Sequence, residues 1–387
     1  MNIETTENII WIAVGLLATI QLLYTFIIYN APHRRIVTER KGKLKASDQR
    51  PGISVVIAAS DHGELLERHL PLILEQEYED FEVIVVDDNS KDGTQDILGR
   101  LSERYPHLYS TFTSDSMRYI SHKKLALMLG IKAAKKEWVV FTEPDCYPTS
   151  QLWLANLARH FTDSTDVVLG YCNYERRPGV ANRCYVFDTL LQQLRILGLT
   201  LLSRGYMGMG RNMAYRKEIF FSHKGYSRHL DLERGEDDLF INEHIPAHRI
   251  TADVSAQSVV RCISANSSNW RNEKLNRLFI RKKMRGIQPY LLGADTVSNI
   301  LLYIATTGAS AICIIQKWWI TLAVTTSIWI ITTGVRTLIL RRTTRDLNER
   351  SYLFSLPLLE MLRPWWELGL RLRLLFSPKQ AYMRRKS

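Results

Sequence analysis

The sequence predicts an α/β chain: a mostly parallel sheet layered with helices, flanked by membrane-crossing helices. Three observations carry this. Two β-branched runs, "ISVVIAAS" at 53–60 and "FEVIVVDDNS" at 81–90, alternate with helical spacings at 63–76, 94–105 and 121–136. Such alternation builds parallel strands with right-handed crossovers. Hydrophobic residues, 46% of 387, crowd at the N-terminus and after residue 296 rather than spreading evenly. Acidic pairs stand at the ends of the predicted strands, where ligands of open α/β sheets bind.

Residues 9–29 are apolar over about the 20 residues a bilayer crossing needs. Glu4 and Glu7 precede this run; His33, Arg34, Arg35, Arg40 and Lys41 follow it. A cleaved signal peptide carries the opposite charge order. The positive-inside tendency therefore turns the N-terminus outward and leaves the next domain in the cytoplasm. A basic linker, 31–50, leads into the soluble part, 51–290. Two further spans are expected within 291–341: a weaker one at 296–315 and a stronger one at 318–339. The stretch 352–376 carries Glu360, Arg363, Glu367, Arg371 and Arg373. That favours an interfacial amphipathic helix over a third C-terminal crossing, within a basic tail at 342–387.

The net charge is +12. The basic residues sit beside apolar stretches and do not interleave with aromatics, so the expected partner is a membrane surface and not nucleic acid. Cysteines 146, 172, 184, 262 and 313 lack metal or disulfide spacing, which suits free thiols in a reduced compartment. No glycine-rich dinucleotide fingerprint follows the first strand, and no phosphate loop is present, which removes the main support for dehydrogenase or NTPase chemistry.

In the soluble part "WVVF" (138–141) is a buried strand followed by Glu143, Pro144 and Asp145. Two carboxylates so close raise each other's pKa unless a cation joins them. Oxygen ligands suit Mg²⁺ or Mn²⁺ with a substrate diphosphate; a rigid polar turn is the alternative. Asp87 and Asp88 end another strand and either accept N–H groups of a nucleobase or cap the "NSKDGT" turn. Lys123 opens a helix on the same rim, as a phosphate partner or a solvated surface charge. In "GEDDLFINEH" (235–244) helical spacing turns Leu239, Phe240 and Ile241 inward. Glu236 and Asp237 in the first turn either complement the helix dipole or place a general base.

Six segments in this order resemble glycosyltransferase family 2: "ISVVIAAS", "VVDDNSKDGT", "HKKLALMLGIKAA", "FTEPDCYP", "GMGRNMAYRKEIF" and "GEDDLFINEH". The resemblance covers about residues 51–285 and implies the GT-A fold. The membrane flanks are similar to those of bacterial inner-membrane members. It further implies that Ala58, Ala59, Ser60 and Asp87, with Asp88 beside it, hold the base, usually uracil. Lys123 would approach the diphosphate, and Asp145 with Glu143 would hold Mg²⁺ or Mn²⁺. Glu143 departs from the usual Asp. Gly210, Arg211 and Asn212 would line sugar and acceptor, and Asp237, preceded by Glu236, would be the base. Arg277 and Arg281 would contact diphosphate or lipid headgroups.

The activity so implied is hexosyltransferase-like. A nucleotide-diphosphate sugar gives its sugar, with inversion, to a hydroxyl of a lipid-linked or saccharide acceptor, in surface polysaccharide synthesis. The sequence leaves the donor sugar and the oligomeric state open. Alternatives are a processive synthase of the same family, for which no Trp follows Arg277 or Arg281, or a non-catalytic membrane protein that binds nucleotide sugar. A nucleotidyltransferase would carry a glycine- and base-rich loop after the first strand, which is lacking.

Overall fold

The computed structural model describes residues 3–43, 47, 49–113, 121–230, 232, 234–263, 267–349 and 355–376. Residues 44–46 and 48 of the expected linker and 350–354 and 377–387 of the expected tail lie outside the described residues, as does the side chain of Glu4.

A seven-stranded sheet runs in the order β3-β2-β1-β4-β8-β6-β9. Strands β1 (Ile53–Ala59) and β2 (Phe81–Asp87) are the two β-branched runs, and both are almost wholly buried because helices cover both faces. They pair in parallel with Ile53 opposite Phe81 and Ala59 opposite Asp87. Strand β3 (Leu108–Phe112) extends that side in parallel, and β4 (Trp138–Phe141) pairs with β1 on the other. Helices α3 (Gly63–Leu74), α4 (Thr94–Arg104) and α5 (His122–Ala133) are the crossovers. The strand order therefore reverses at β1, and the crevice beyond β1 and β4 is the switch point where such sheets bind ligands. The later half is mixed: β8 (Met213–Arg216) is antiparallel to β4 and to β6 (Val167–Gly170), and β9 (Ile250–Asp253) is parallel to β6.

A smaller sheet, β5 (Cys146–Pro148), β10 (Val260–Cys262) and β7 (Cys172–Tyr174), begins one residue after Asp145. All five cysteines are free. Helices α6 (Trp153–Ala158), α7 (Val180–Leu201), α8 (Lys217–Ser222), α9 (Glu236–His244) and α10 (Ser267–Arg281) complete the soluble part.

Among the described residues, three helical runs are long and apolar enough to cross a membrane: Thr6–Arg40, Gln288–Gln316 and Trp319–Asp346. The first differs from a plain span. Helix α1 (Ile3–Tyr24) widens into a π turn at Thr25–Tyr29, where Asn30 N–H reaches back to Thr25 O, before α2 (Ala31–Arg40) starts. Pro32 in the first turn of α2 cannot donate into the preceding ladder, which accounts for the break. Helices α11 (Gln288–Gln316) and α12 (Trp319–Asp346) pack on α1 through Val14, Ala18 and Leu302. The hydroxyl residues that weakened the middle span on paper are satisfied within their own helices: Thr306 Oγ1 donates to Leu302 O at 2.8 Å. Helix α13 (Leu356–Phe376) is amphipathic in an inverted sense. Glu360 and Arg363 point inward, while Leu358, Trp365, Leu375 and Phe376 face out.

Candidate active site

The stretch after β4 is a clamped turn. Cys146 N–H donates to Glu143 O at 2.9 Å, and Ile263 N–H, just past β10, donates to Asp145 O at 2.8 Å. Pro144 has no N–H to continue the ladder of β4, and both carboxylates stand beyond that strand's carboxyl end. Ligand atoms of Glu143, Asp145 and Cys146 lie within 4.8 Å of one another.

The two carboxylates have different surroundings. Glu143 takes Lys123 Nζ on Oε1 at 2.7 Å and Arg211 Nε on Oε2 at 2.9 Å. Burial would raise its pKa, yet Lys123 and Arg211 hold it well below the usual carboxylate range. Among the described residues the Asp145 carboxylate accepts from the Cys146 thiol, at 3.2 Å, and has no ion pair. Burial raises it; Arg211 opposes that and Glu143 adds to it, and it ends above the usual value. The Cys146 thiol is itself pushed up by burial.

Helix α9 supplies the next pair. Glu236 is held by Lys123 Nζ at 2.8 Å and kept below its usual pKa, against burial. Asp237 is buried, its Oδ1 has no hydrogen-bond partner, and burial with the Glu236 charge pushes it well above the usual range. An uncompensated buried carboxylate costs several kcal/mol, on the order of what a whole ion pair can repay. Such an expense without a structural return marks a functional group. Its close neighbours explain the glycines of "GYMGMG". A Cβ on Gly210 would stand 2.0 Å from Asp237 Oδ2, and one on Gly208 would stand 2.8 Å from Asp237 Cβ. Only residues without a side chain let that loop lie on the carboxylate.

Lys123, Glu143, Arg211, Glu236 and Asp237 converge on one cleft, of about 670 Å³ including the solvent in its mouth; Asp145 is not among its walls. The cleft also contains a residue the sequence reading passed over. Glu273 on α10 accepts Arg211 at 3.1 Å, Arg277 at 2.6 Å and the Tyr174 hydroxyl at 2.5 Å. Arg211 and Arg277 hold it, against burial, down to about 2. It fixes Arg211 between two carboxylates. The four-residue spacing of Glu273, Arg277 and Arg281 on one helical face was the available signal.

Several expectations need correction. Asn212 does not line the cleft. It is fully buried, its Nδ2 donates to Tyr171 O and Ser258 O, both at 2.9 Å, and its Oδ1 accepts Trp153 Nε1 at 3.0 Å. It joins the two sheets, with both amide hydrogens donated and the side chain closed off from any ligand. Asp87 has both oxygens in use, Oδ1 by Ser90 and Oδ2 by Gln95 at 3.0 Å, so here it holds the loop after β2. Asp88 accepts Thr113 at 2.9 Å and contacts His122 at 3.2 Å. Ala59 is buried in β1, Ala58 is half-buried, and Ser60 donates to Asp88 O at 3.1 Å. Arg277 does line the cleft, but Arg281 lines a second cavity instead.

A mostly parallel sheet with acidic groups gathered at its switch point is the architecture of the GT-A fold. Residues 54–221 match the model of glycosyl transferase family 2, which supports a glycosyltransferase. Among solved structures, the fold is similar to the mannosyltransferase PcManGT from Pyrobaculum calidifontis in complex with GDP-Man and Mn²⁺. The TM-score is 0.51 at 19% identity, over 91% of this chain and 99% of that one. Two structures of S. aureus TarS 1-349 also align, one of them in complex with UDP-GlcNAc. Their identities are 18% and 16% and their TM-scores 0.43 and 0.42, each over 82% of this chain and 92% of that one. No curated protein matches the chain.

Proposed function

We propose that this chain is a membrane-anchored inverting glycosyltransferase that moves a sugar from a nucleoside-diphosphate sugar to the hydroxyl of a lipid-linked or saccharide acceptor, in surface polysaccharide synthesis. The observation that carries the reading is the Asp237 carboxylate, buried and left without a partner on Oδ1, in a cleft that also holds Lys123 and Arg211. Arg277 belongs to the same lining. The apolar outer faces of α1, α11 and α12 support membrane placement of the soluble domain on the side of the basic flank.

In this reading the donor's diphosphate meets Lys123 and Arg211, which Glu143, Glu236 and Glu273 pre-position. Asp237 accepts the proton of the acceptor hydroxyl as its oxygen bonds to the anomeric carbon. The bond from that carbon to the diphosphate oxygen breaks, and its electron pair leaves on the nucleoside diphosphate. The donor set fits a hard divalent cation at Asp145, whose raised pKa a cation would relieve. Glu143 already has a cation on each oxygen, and its part becomes the holding of Lys123 and Arg211. Bound Mg²⁺ or Mn²⁺ would supply Lewis-acid stabilisation of the departing diphosphate.

The test is Asp237→Asn in the full chain. Transfer should fall on the order of 10²–10⁴-fold while nucleotide binding persists. Undiminished turnover by that variant would remove the assignment.

A further inference from the structure

A second cavity adjoins the cleft and is not used by the chemistry above. Arg277 and Asp238 belong to the walls of both. Its other walls come from α7, α10, the start of α11 and α13. It therefore opens where the first apolar turns of α11 meet α13, whose outer face is apolar. In a chain anchored by α1, α11 and α12 this is the level of lipid headgroups.

The lining is strongly basic: Arg195, Lys274, Arg277, Arg281, Arg363 and Arg371 against Asp188, Asp238 and Glu367. Most of the cations are already spent. Arg195 pairs with Asp295, Lys274 with Asp188, Arg277 with Glu273 and Arg363 with Glu367. Two are not paired with any carboxylate among the described residues. Arg281 donates only to the Pro289 carbonyl, and Arg371 has no ion pair. Burial, and then Arg371 and Arg195 among its neighbours, hold Arg281 below its ordinary pKa, so the guanidiniums repel one another across the cavity. Like charges gathered without a counter-ion need an anion from outside.

We propose that this cavity seats the phosphate of a lipid-linked phosphosaccharide acceptor on Arg281 and Arg371, with the acceptor's sugar hydroxyl reaching Asp237 past Arg277 and Asp238, the residues that wall both cavities. The proposal rests on the reading of Asp237 as the base and selects the lipid-linked acceptor over a free saccharide. Arg281 stands one turn beyond Arg277, about 6 Å along α10. That places the phosphate one helical turn from the wall the two cavities share, with the lipid tail leaving along the apolar side of α13.

The experiment uses the full chain in phosphatidylcholine nanodiscs with dodecyl phosphate, dodecanol and inorganic phosphate as probes, beside UDP and GDP with Mn²⁺. Dodecyl phosphate should bind in preference to the other two. The Arg281→Gln/Arg371→Gln double variant should weaken it about tenfold or more and change nucleotide affinity by roughly twofold at most. Equal dodecyl phosphate affinity in parent and variant, or dodecanol binding as tightly, would overturn the proposal. Inorganic phosphate binding as tightly would overturn the lipid source and leave a soluble phosphorylated acceptor. Absence of nucleotide binding in the parent chain would instead sink the underlying reading of the cleft. Intact nucleotide binding without a dodecyl phosphate site would sink only this inference.

Discussion

Two buried charge clusters, built from the same residue types, behave differently. At the foot of the apolar helices, charges close on one another. Arg195 meets Asp295 at 2.5 Å, and Tyr29 donates to the same carboxylate at 2.8 Å. Arg336 meets Glu360 at 2.9 Å and Gln21 at 2.7 Å. These pairs tie α1, α7, α11, α12 and α13 together. In the cleft Lys123, Arg211 and Arg277 are likewise divided among Glu143, Glu236 and Glu273, yet Asp237 is left over. The difference teaches how to separate holding from reacting. A closed network offsets its desolvation cost by mutual attraction and is costly to break on one side, whereas an open one keeps charge in readiness for something that arrives.

The comparison can be broken at either end. The largest effect is expected at the helix junction. Arg336→Met leaves Glu360 buried with a distant Arg363, at 3.9 Å, and the neutral Asn299 amide, at 3.4 Å, and should cost about 3–5 kcal/mol of stability. Thermal melting in detergent reads this, and turnover per folded molecule should hold. Unchanged melting with lost turnover would reverse the two roles.

An intermediate effect separates the two carboxylates of the turn. Asp145→Asn should remove Mn²⁺-dependence of nucleotide binding, with a loss at least as large as the roughly 10–100-fold of an outer-shell change. Glu143→Gln should weaken nucleotide binding at every metal concentration and preserve the metal dependence. If Glu143→Gln abolishes that dependence as fully as Asp145→Asn does, Glu143 is a ligand too.

The smallest effect is a pH shift. Asp237 works deprotonated, so kcat/KM should rise with pH through its pKa, on a limb above the ordinary carboxylate value of about 4. Glu236→Gln removes a charge that raises Asp237, and the limb should move to lower pH by about one unit or less. Lys123→Met removes a charge that lowers it, and the limb should move to higher pH. Shifts of the opposite sign would detach Asp237 from the profile.

Much of this was legible beforehand. The β-branched runs became β1, β2 and β4, and the inward set Leu239, Phe240 and Ile241 is buried as the helical spacing required. The glycines at 208 and 210 were visible, but their reason was not, because it lies in a carboxylate 27 residues from Gly210 that touches them only after folding. Asn212 looked like a cleft residue since it follows Arg211 directly. In the fold adjacent residues face opposite ways, one toward Glu143 and the other into the joint between sheets. Glu273 showed only its four-residue spacing to Arg277 and Arg281, and nothing along the chain tied it to Arg211.

By itself the chain's order of residues determined where strands and helices form, which runs are apolar enough for a bilayer, and which acids end up on the sheet's carboxyl rim. Those properties depend on spacing along the backbone. Only the tertiary structure decided which of the acids are neutralised and which stands alone, because charge compensation depends on distances of a few ångströms between residues far apart in the chain.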